Sequence, residues 1–211
     1  MTYSGQSLVV SWTEPEDNGS TITNYVVEFG HDGTNFNEIT SICDGSNAAV
    51  VSAKSCTFTQ SALVTEDATF TFGKQVLVRV KAENSVGLAD SHSPVSSGTA
   101  LIRDVPQAAV TLSVVYVDTY EVDLSWTTLS DTNAGHSSIT SYLLEVESTT
   151  TAGTWISLQN SLLTTYVYSH LTTGAPSPFS GKTYNFRITP KNIFGDGTVS
   201  TVSATTKNEP V

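Results

Sequence analysis

The chain has 211 residues and a formal net charge of −11, with 38% of its residues hydrophobic and only 14% charged. That balance describes a globular chain with a core and excludes nucleic acid and an anionic membrane surface as partners, because both require clustered Lys and Arg. No apolar run is long enough to span a bilayer, so no membrane insertion is expected in this segment. The opening MTYSGQSLVV lacks the basic and apolar regions of a signal peptide, so any export signal is expected to have lain upstream or to have been removed.

Read from the N-terminus, LVVSW (8–12) is an apolar strand that ends in a Trp large enough to fill the centre between two sheets. The polar TEPEDNGST follows, rich in turn-forming residues. ITNYVVEF then places Ile22, Tyr25 and Val27 toward a core, and GTNFNEI is an aromatic-led strand whose Phe36 is expected to cover one core edge. After Phe58 and Leu63 comes GKQVLVRVKAENSVG, from Gly73 to Gly87. Val78 and Val80 alternate with Arg79, which puts Arg79 on a solvated face. Asn84 begins a hairpin loop and Gly87 has the backbone freedom to turn it. A last strand should end near Ile102.

The same series then starts again. VDLSW (122–126) is followed by TTLSDTNAGHSS, by ITSYLLEV with Ile139, Tyr142 and Leu144, and by GTWISL with Trp155 in the place of Phe36. Tyr166 and Leu171 lie 108 positions after Phe58 and Leu63. GKTYNFRITPKNIFG, Gly181 to Gly195, repeats Gly, Lys, Arg, Asn and Gly at that same offset of 108, with Arg187 on Arg79 and Asn192 on Asn84. Ser and Thr are interleaved with β-branched residues, and neither heptads nor long helical spacing occur. The fold class is therefore all-β: two tandem seven-stranded Greek-key sandwiches, residues 1–103 and 104–211.

The order Trp, Asp/Gly-rich loop, Ile-x-x-Tyr, then Tyr-x-Phe-Arg-x-x-x-x-Asn-x-x-Gly resembles fibronectin type III domains, over nearly the whole chain twice. The resemblance implies that Tyr184 pins the corner between two strands through its hydroxyl. Val76 stands at the equivalent place in the first half, whose corner should be missing that pin or be made differently. Both halves depart from the family's tight corner, since Leu63 to Val76 and Leu171 to Tyr184 each span 13 positions. The insert CDGSNAAVVSAKSC resembles modules of large, repetitive surface or secreted proteins.

ALIRDVPQAAV joins the halves, a joint short enough to imply a semi-rigid rod, and TTKNEPV aligns with its LIRDVPQ, Pro210 on Pro106. Pro106 precedes its Trp by 20 positions, Met1 by only 11, so the first domain is expected to lack most of strand A. Two readings stay open: a fragment cut from a longer array, or an edge completed by a neighbouring copy, which would build a fibre.

Candidate sites are few. Cys43 and Cys56 are expected to form a disulfide, worth roughly 3 kcal/mol, with free thiols or a metal pair as alternatives. A disulfide places the chain in an oxidising compartment, extracellular or at a cell surface. His31, His92, His136 and His170 are scattered, and no nucleophile, phosphate-loop or metalloprotease motif is present, so neither catalysis nor a cofactor is expected. EPEDNGS gathers Glu14, Glu16 and Asp17, a solvated loop or a Ca²⁺ loop without the EF-hand order. Its counterpart holds Asn133 and His136, and Asn18-Gly19-Ser20 is a glycosylation sequon. The resulting expectation is a non-enzymatic extracellular spacer or fibre building block whose partners are neighbouring modules or copies of itself. The alternative is an adhesin or receptor fragment that binds a protein or glycan through these loops.

Overall fold

In the computed structural model, residues 1–96, 100–172 and 179–209 are described. Pro210, aligned above with Pro106, lies outside them. The chain divides into two compact units, Met1–Arg103 and Asp104–Val211.

Unit 1 contains β1 (Thr2–Ser4), β2 (Ser7–Ser11), β3 (Ile22–Gly30), β4 (Phe36–Glu38), α1 (Ala48–Ala53), β5 (Ser55–Thr59), α2 (Gln60–Glu66), β6 (Leu77–Asn84) and β7 (Gly87–Leu88). One sheet has the order β1-β2-β5 and the other β4-β3-β6-β7. Unit 2 contains β8 (Leu112–Val117), β9 (Glu121–Trp126), β10 (Ser141–Glu147), β11 (Trp155–Ser161), β12 (Thr165–Ser169), β13 (Thr183–Asn192), β14 (Gly195–Asp196) and β15 (Ser200–Thr205). Its sheets are β12-β9-β8 and β11-β10-β13, with β14 and β15 both paired to β13. Each unit is thus a sandwich of antiparallel sheets, the architecture that the resemblance to fibronectin type III domains implies.

Strict alternation creates the cores. In unit 1, Leu8 and Val10 of β2 meet Tyr25, Val27 and Phe29 of β3 and Val78 and Val80 of β6. In unit 2, Val122, Leu124 and Trp126 meet Tyr142, Leu144, Phe186 and Ile188. Trp126 is buried, whereas Trp12 is half-buried at the edge of its core, its ring edge-on to Tyr25 at 5.1 Å. The Cys43–Cys56 bond is present, with Cα atoms 5.7 Å apart and both residues in the core of unit 1. It ties the segment after β4 to β5 and encloses α1. Gly45 within that loop donates no side chain, and a Cβ there would collide with the Tyr25 carbonyl. Its own carbonyl accepts from Tyr25 N at 3.1 Å.

Several expectations are corrected. Phe36 and Trp155 do not cover a core edge. Phe36 pairs with Gly30 and Trp155 with Glu147, positions that face away from the core, so both rings lie on the outer face of the larger sheet. Leu63 is fully buried on α2 but Leu171 is 82% exposed, so their shared offset does not make them equivalent. Two short helices interrupt unit 1. Asn47 caps α1 by accepting from Ala49 N, and Thr59 caps α2 by accepting from Ala62 N.

The corner at Tyr184 is pinned: its hydroxyl donates to Phe179 O at 3.2 Å, and burial pushes its pKa up to about 12. Unit 1 closes the matching region differently. Val76 N donates to Ala100 O, and the buried Gln60 side chain accepts from Arg103 N at 2.8 Å while donating to Gln6 O. Its last strand is not regular beyond β7. Instead Ser93 and Ser96 each donate backbone N–H to Val80 O and Val78 O, and each hydroxyl accepts the N–H of that same valine at 3.0 Å.

Removing the crosslink by Cys43→Ala with Cys56→Ala should destabilise unit 1 by about 3 kcal/mol. Hydrogen exchange should register the loss in β6 amides and leave β13 amides unchanged.

Candidate functional site

The acidic loop of unit 1 folds as a tight turn. Ser20 N donates to Asp17 O at 3.1 Å and Gly19 N to Asp17 Oδ1 at 2.8 Å. Asn18 and Gly19 occupy the left-handed region at φ 52° and 83°, which holds Asn18 exposed at the tip. Asn84 fastens this turn to the β6–β7 hairpin. Its Nδ2 donates to Asp17 O and Ser20 O, both at 3.1 Å, while its Oδ1 accepts from Val86 N and Gly87 N. The Ser20 and Ser85 hydroxyls add a bond of 2.9 Å. Between turn and hairpin lies an open hollow of about 590 Å³ bordered by Pro15, Glu16, Asp17, Asn18, Val86 and Leu88.

Unit 2 repeats the fastening at greater depth. Asn192, 6% exposed, donates to Asp104 O at 2.8 Å and Ala134 O at 2.9 Å and accepts from Phe194 N. Here the loop tightens into a 3-10 turn, Asp131–Ala134. Asn133 O accepts from Gln107 N and Ala108 N, and His136 Nδ1 lies 3.0 Å from Asp131 Oδ1.

The five candidate ligand residues lie in one loop of each unit. Glu16 and Asp17 share the hollow of unit 1. Glu14 is drawn away into an ion pair with Lys54 Nζ at 2.7 Å, and the Asn133 and His136 contacts hold the unit 2 loop. Among the described residues, no three His, Cys, Asp or Glu side chains gather as metal ligands. Of the remaining histidines, His31 packs on Phe70 and His170 on Tyr120.

Sequence reasoning missed the most regular polar constellation. On the outer face of unit 1, Arg79 Nε donates to Glu28 Oε2 at 2.6 Å, directly across the β3–β6 ladder, and the guanidinium lies 4.4 Å from the centre of the Phe36 ring. His92 Nε2 meets the same carboxylate oxygen at 2.6 Å. In unit 2, Arg187 Nε donates to Glu145 Oε2 at 2.6 Å across β10–β13, with its guanidinium 4.3 Å from Trp155. The two arginines, expected to be solvated, are half to largely buried, as are the two glutamates. The signal was available in the aligned Glu of YVVEF and YLLEV.

Other carboxylates act as local turn fasteners. A bond from the Ser46 hydroxyl holds Asp44 below its usual range at the start of the disulfide loop. The Asn185 side chain does the same for Glu147, with help from Gly153 N. Among the described residues, no helix is long and apolar enough to cross a membrane.

No family model matches the chain. Among solved structures it is similar to the FN1-FN3 domains of chicken CNTN1, at 18% identity over 97% of this chain and 64% of that one, with a TM-score of 0.41. It is also similar to domains A168-A170 from titin, at 18% identity over 96% of this chain and 66% of that one, with a TM-score of 0.46. The chain spans slightly less than two thirds of the length of each.

The two fastening asparagines should differ in worth. Asn192→Ala leaves the buried Ala134 carbonyl without that donor and should cost about 2 kcal/mol, whereas at half-exposed Asn84 water can take over and Asn84→Ala should cost about 1 kcal/mol. Denaturant unfolding with unit-resolved hydrogen exchange measures both.

Proposed function

We propose that the chain is a non-enzymatic extracellular structural module, a rod-like spacer or a building block of a surface fibre. One observation carries this reading: the polar residues that recur between the units are used to hold strands and loops to one another. Arg79 and Arg187 bridge ladders and cover edge aromatics, and Asn84 and Asn192 fasten loops to hairpins. The disulfide supports an oxidising, extracellular setting. Neighbouring modules or further copies of the chain are the partners of such a spacer.

The fibre form of the reading rests on one edge. β1 pairs only with Ser7, Leu8 and Val9, so the Val10–Ser11 end of β2 has β5 on one side and lies beyond β1 on the other. In unit 2, β8 accompanies β9 as far as Trp126. That edge could take either preceding residues of a longer chain or a strand of a neighbouring copy, and only the second builds a fibre.

A second reading, an adhesin or receptor fragment, is favoured by the hollow beside Glu16 and Asp17, where the exposed Val86 offers apolar area next to carboxylates. Asn18 at its rim is an exposed sequon, so a glycan attached there would border the same hollow.

Stretched by its ends, a spacer should unfold in two separate events. With the cysteines 13 positions apart, unit 1 should release about 45 Å less length while the disulfide is intact and regain it on reduction. Unfolding without measurable resistance would overturn the spacer reading. Light scattering separates its two forms, since a single monomeric species at all concentrations removes the fibre. Loss of cell-surface binding on exchange of the loops around Asn18 and Asn133 would favour the adhesin.

A further inference from the structure

Asn18 is the only asparagine in the chain that is followed by glycine. Both residues are exposed and both have positive φ, so the peptide that links them stands at the solvated tip of its turn. A Cβ placed on Gly19 would meet nothing within 4 Å, which leaves the Gly19 nitrogen unshielded. Its N–H donates to Asp17 Oδ1 at 2.8 Å. An N–H lies in the plane of its peptide, so that bond does not occupy the faces from which the nitrogen can attack. The Asn18 side chain is unheld as well. It takes part in no hydrogen bond among the described residues, whereas the amides of Asn24, Asn35, Asn84, Asn185 and Asn192 all donate to carboxylates or carbonyls.

Unit 2 provides the contrast. In the matching loop Asn133 precedes Ala134, which is 2% exposed, carries a Cβ and donates its N–H to Ser130 O within the 3-10 turn. One loop presents a free amide beside an open backbone nitrogen, and its counterpart buries that nitrogen.

We propose that Asn18 is a site of self-modification, with water as the only co-reactant. The Gly19 nitrogen attacks Cγ of Asn18, and its proton passes to Asp17 Oδ1, which lies within reach as a base. The Cγ–Nδ2 bond breaks, and the amide nitrogen takes up that proton and leaves as ammonia. A five-membered cyclic imide remains. Water then adds to one of the two imide carbonyl carbons and breaks its bond to the Gly19 nitrogen. Opening at Cγ leaves an aspartate at position 18. Opening at the main-chain carbonyl leaves an isoaspartate, whose backbone runs through the side chain and is one carbon longer. Nothing is oxidised or reduced.

Either product adds a carboxylate beside Glu16 and Asp17, and neither can accept an N-linked glycan. The isoaspartate does more. Its extra backbone carbon does not fit a two-residue turn closed by Ser20 N and Asp17 O, and that turn supplies both carbonyls that Asn84 holds. With time the β6–β7 hairpin is unfastened in unit 1 and not in unit 2. The chemistry is the same whether the chain serves as a spacer or as an adhesin.

The test follows the ¹⁵N-labelled full chain, made without glycosylation, during incubation at mildly alkaline pH. The side-chain amide signals of Asn18 should disappear first among the asparagines, with release of ammonia and with isoaspartate detectable by enzymatic methylation. One backbone hydrogen bond, Ser20 N to Asp17 O, closes the turn, so the rate should lie within about tenfold of that in the unfolded chain. Ser20→Ala removes the sequon but keeps the attacking nitrogen, and should leave the reaction in place. In the aged chain the Asn84 side-chain protons should exchange faster with water, and those of Asn192 should not. A folded-state rate below the stated range, or earlier loss of another asparagine amide, would overturn the proposal. Unchanged exchange at Asn84 in chains that carry isoaspartate would overturn the unfastening.

Discussion

In each unit the arrangement of the larger sheet depends on one arginine lying flat across it. Arg79 and Arg187 sit on the central strands β6 and β13, bond to the glutamate directly opposite on β3 or β10, and present a guanidinium face to an aromatic ring on the edge strand. One side chain thereby connects three strands. A charge-assisted bond fixes the register of the central pair, and the stacked ring holds the edge strand to it. The stems of both residues cover outer-face area that would otherwise be exposed, so a charged residue contributes packing as well as charge. The consequence for sequence is the alternation itself, with apolar residues on one side of β6 and β13 and a long cationic one on the other.

The units reach this arrangement with different supporting residues. In unit 1 the Phe36 ring lies over Gly30, where a Cβ would run into the ring and into the Asn35 carbonyl. In unit 2 the same register holds Glu147, which instead accepts from Asn185 and Gly153 N beside Trp155. The far end of the sandwich diverges more. Unit 2 uses the Tyr184 hydroxyl, joined at Phe179 O by that of Thr206. Unit 1, with Val76 in that position, uses α2, Gln60 and the Tyr3 hydroxyl, which donates to Leu101 O and accepts from Leu101 N. Its disulfide adds a covalent tie on the same side of the core as β5.

The strand pattern was legible because period-two alternation and the 108-residue repeat are properties of the chain alone. The pairing of Cys43 with Cys56 and the turning role of Asn84–Gly87 followed from residue type and proximity. What escaped was decided by partners distant in sequence. AAVVSA and QSALVTE are too short to establish a helical period, and their caps, Asn47 and Thr59, resemble ordinary loop residues. Leu171 matched Leu63 in offset but not in environment: Leu63 is buried on α2, whereas Leu171 is exposed just after β12. Phe36 and Trp155, expected to cover a core edge, lie on the outer face instead, where an arginine two strands away receives their rings. At the loop ends, the carboxylates were visible as a cluster, but nothing local distinguishes Glu14, which reaches Lys54, from Glu16 and Asp17, which do not.

The measurement that tests this account most directly is a double-mutant cycle on Glu28→Gln and Arg79→Met, read by denaturant unfolding, with Glu145→Gln and Arg187→Met as the parallel cycle. If these pairs hold the larger sheets together, each cycle should give a coupling energy of about 1–2 kcal/mol, within the range for partly buried charge-assisted bonds. Additive losses in both units would contradict the account and reduce the repeated arginines to surface charges that happen to align.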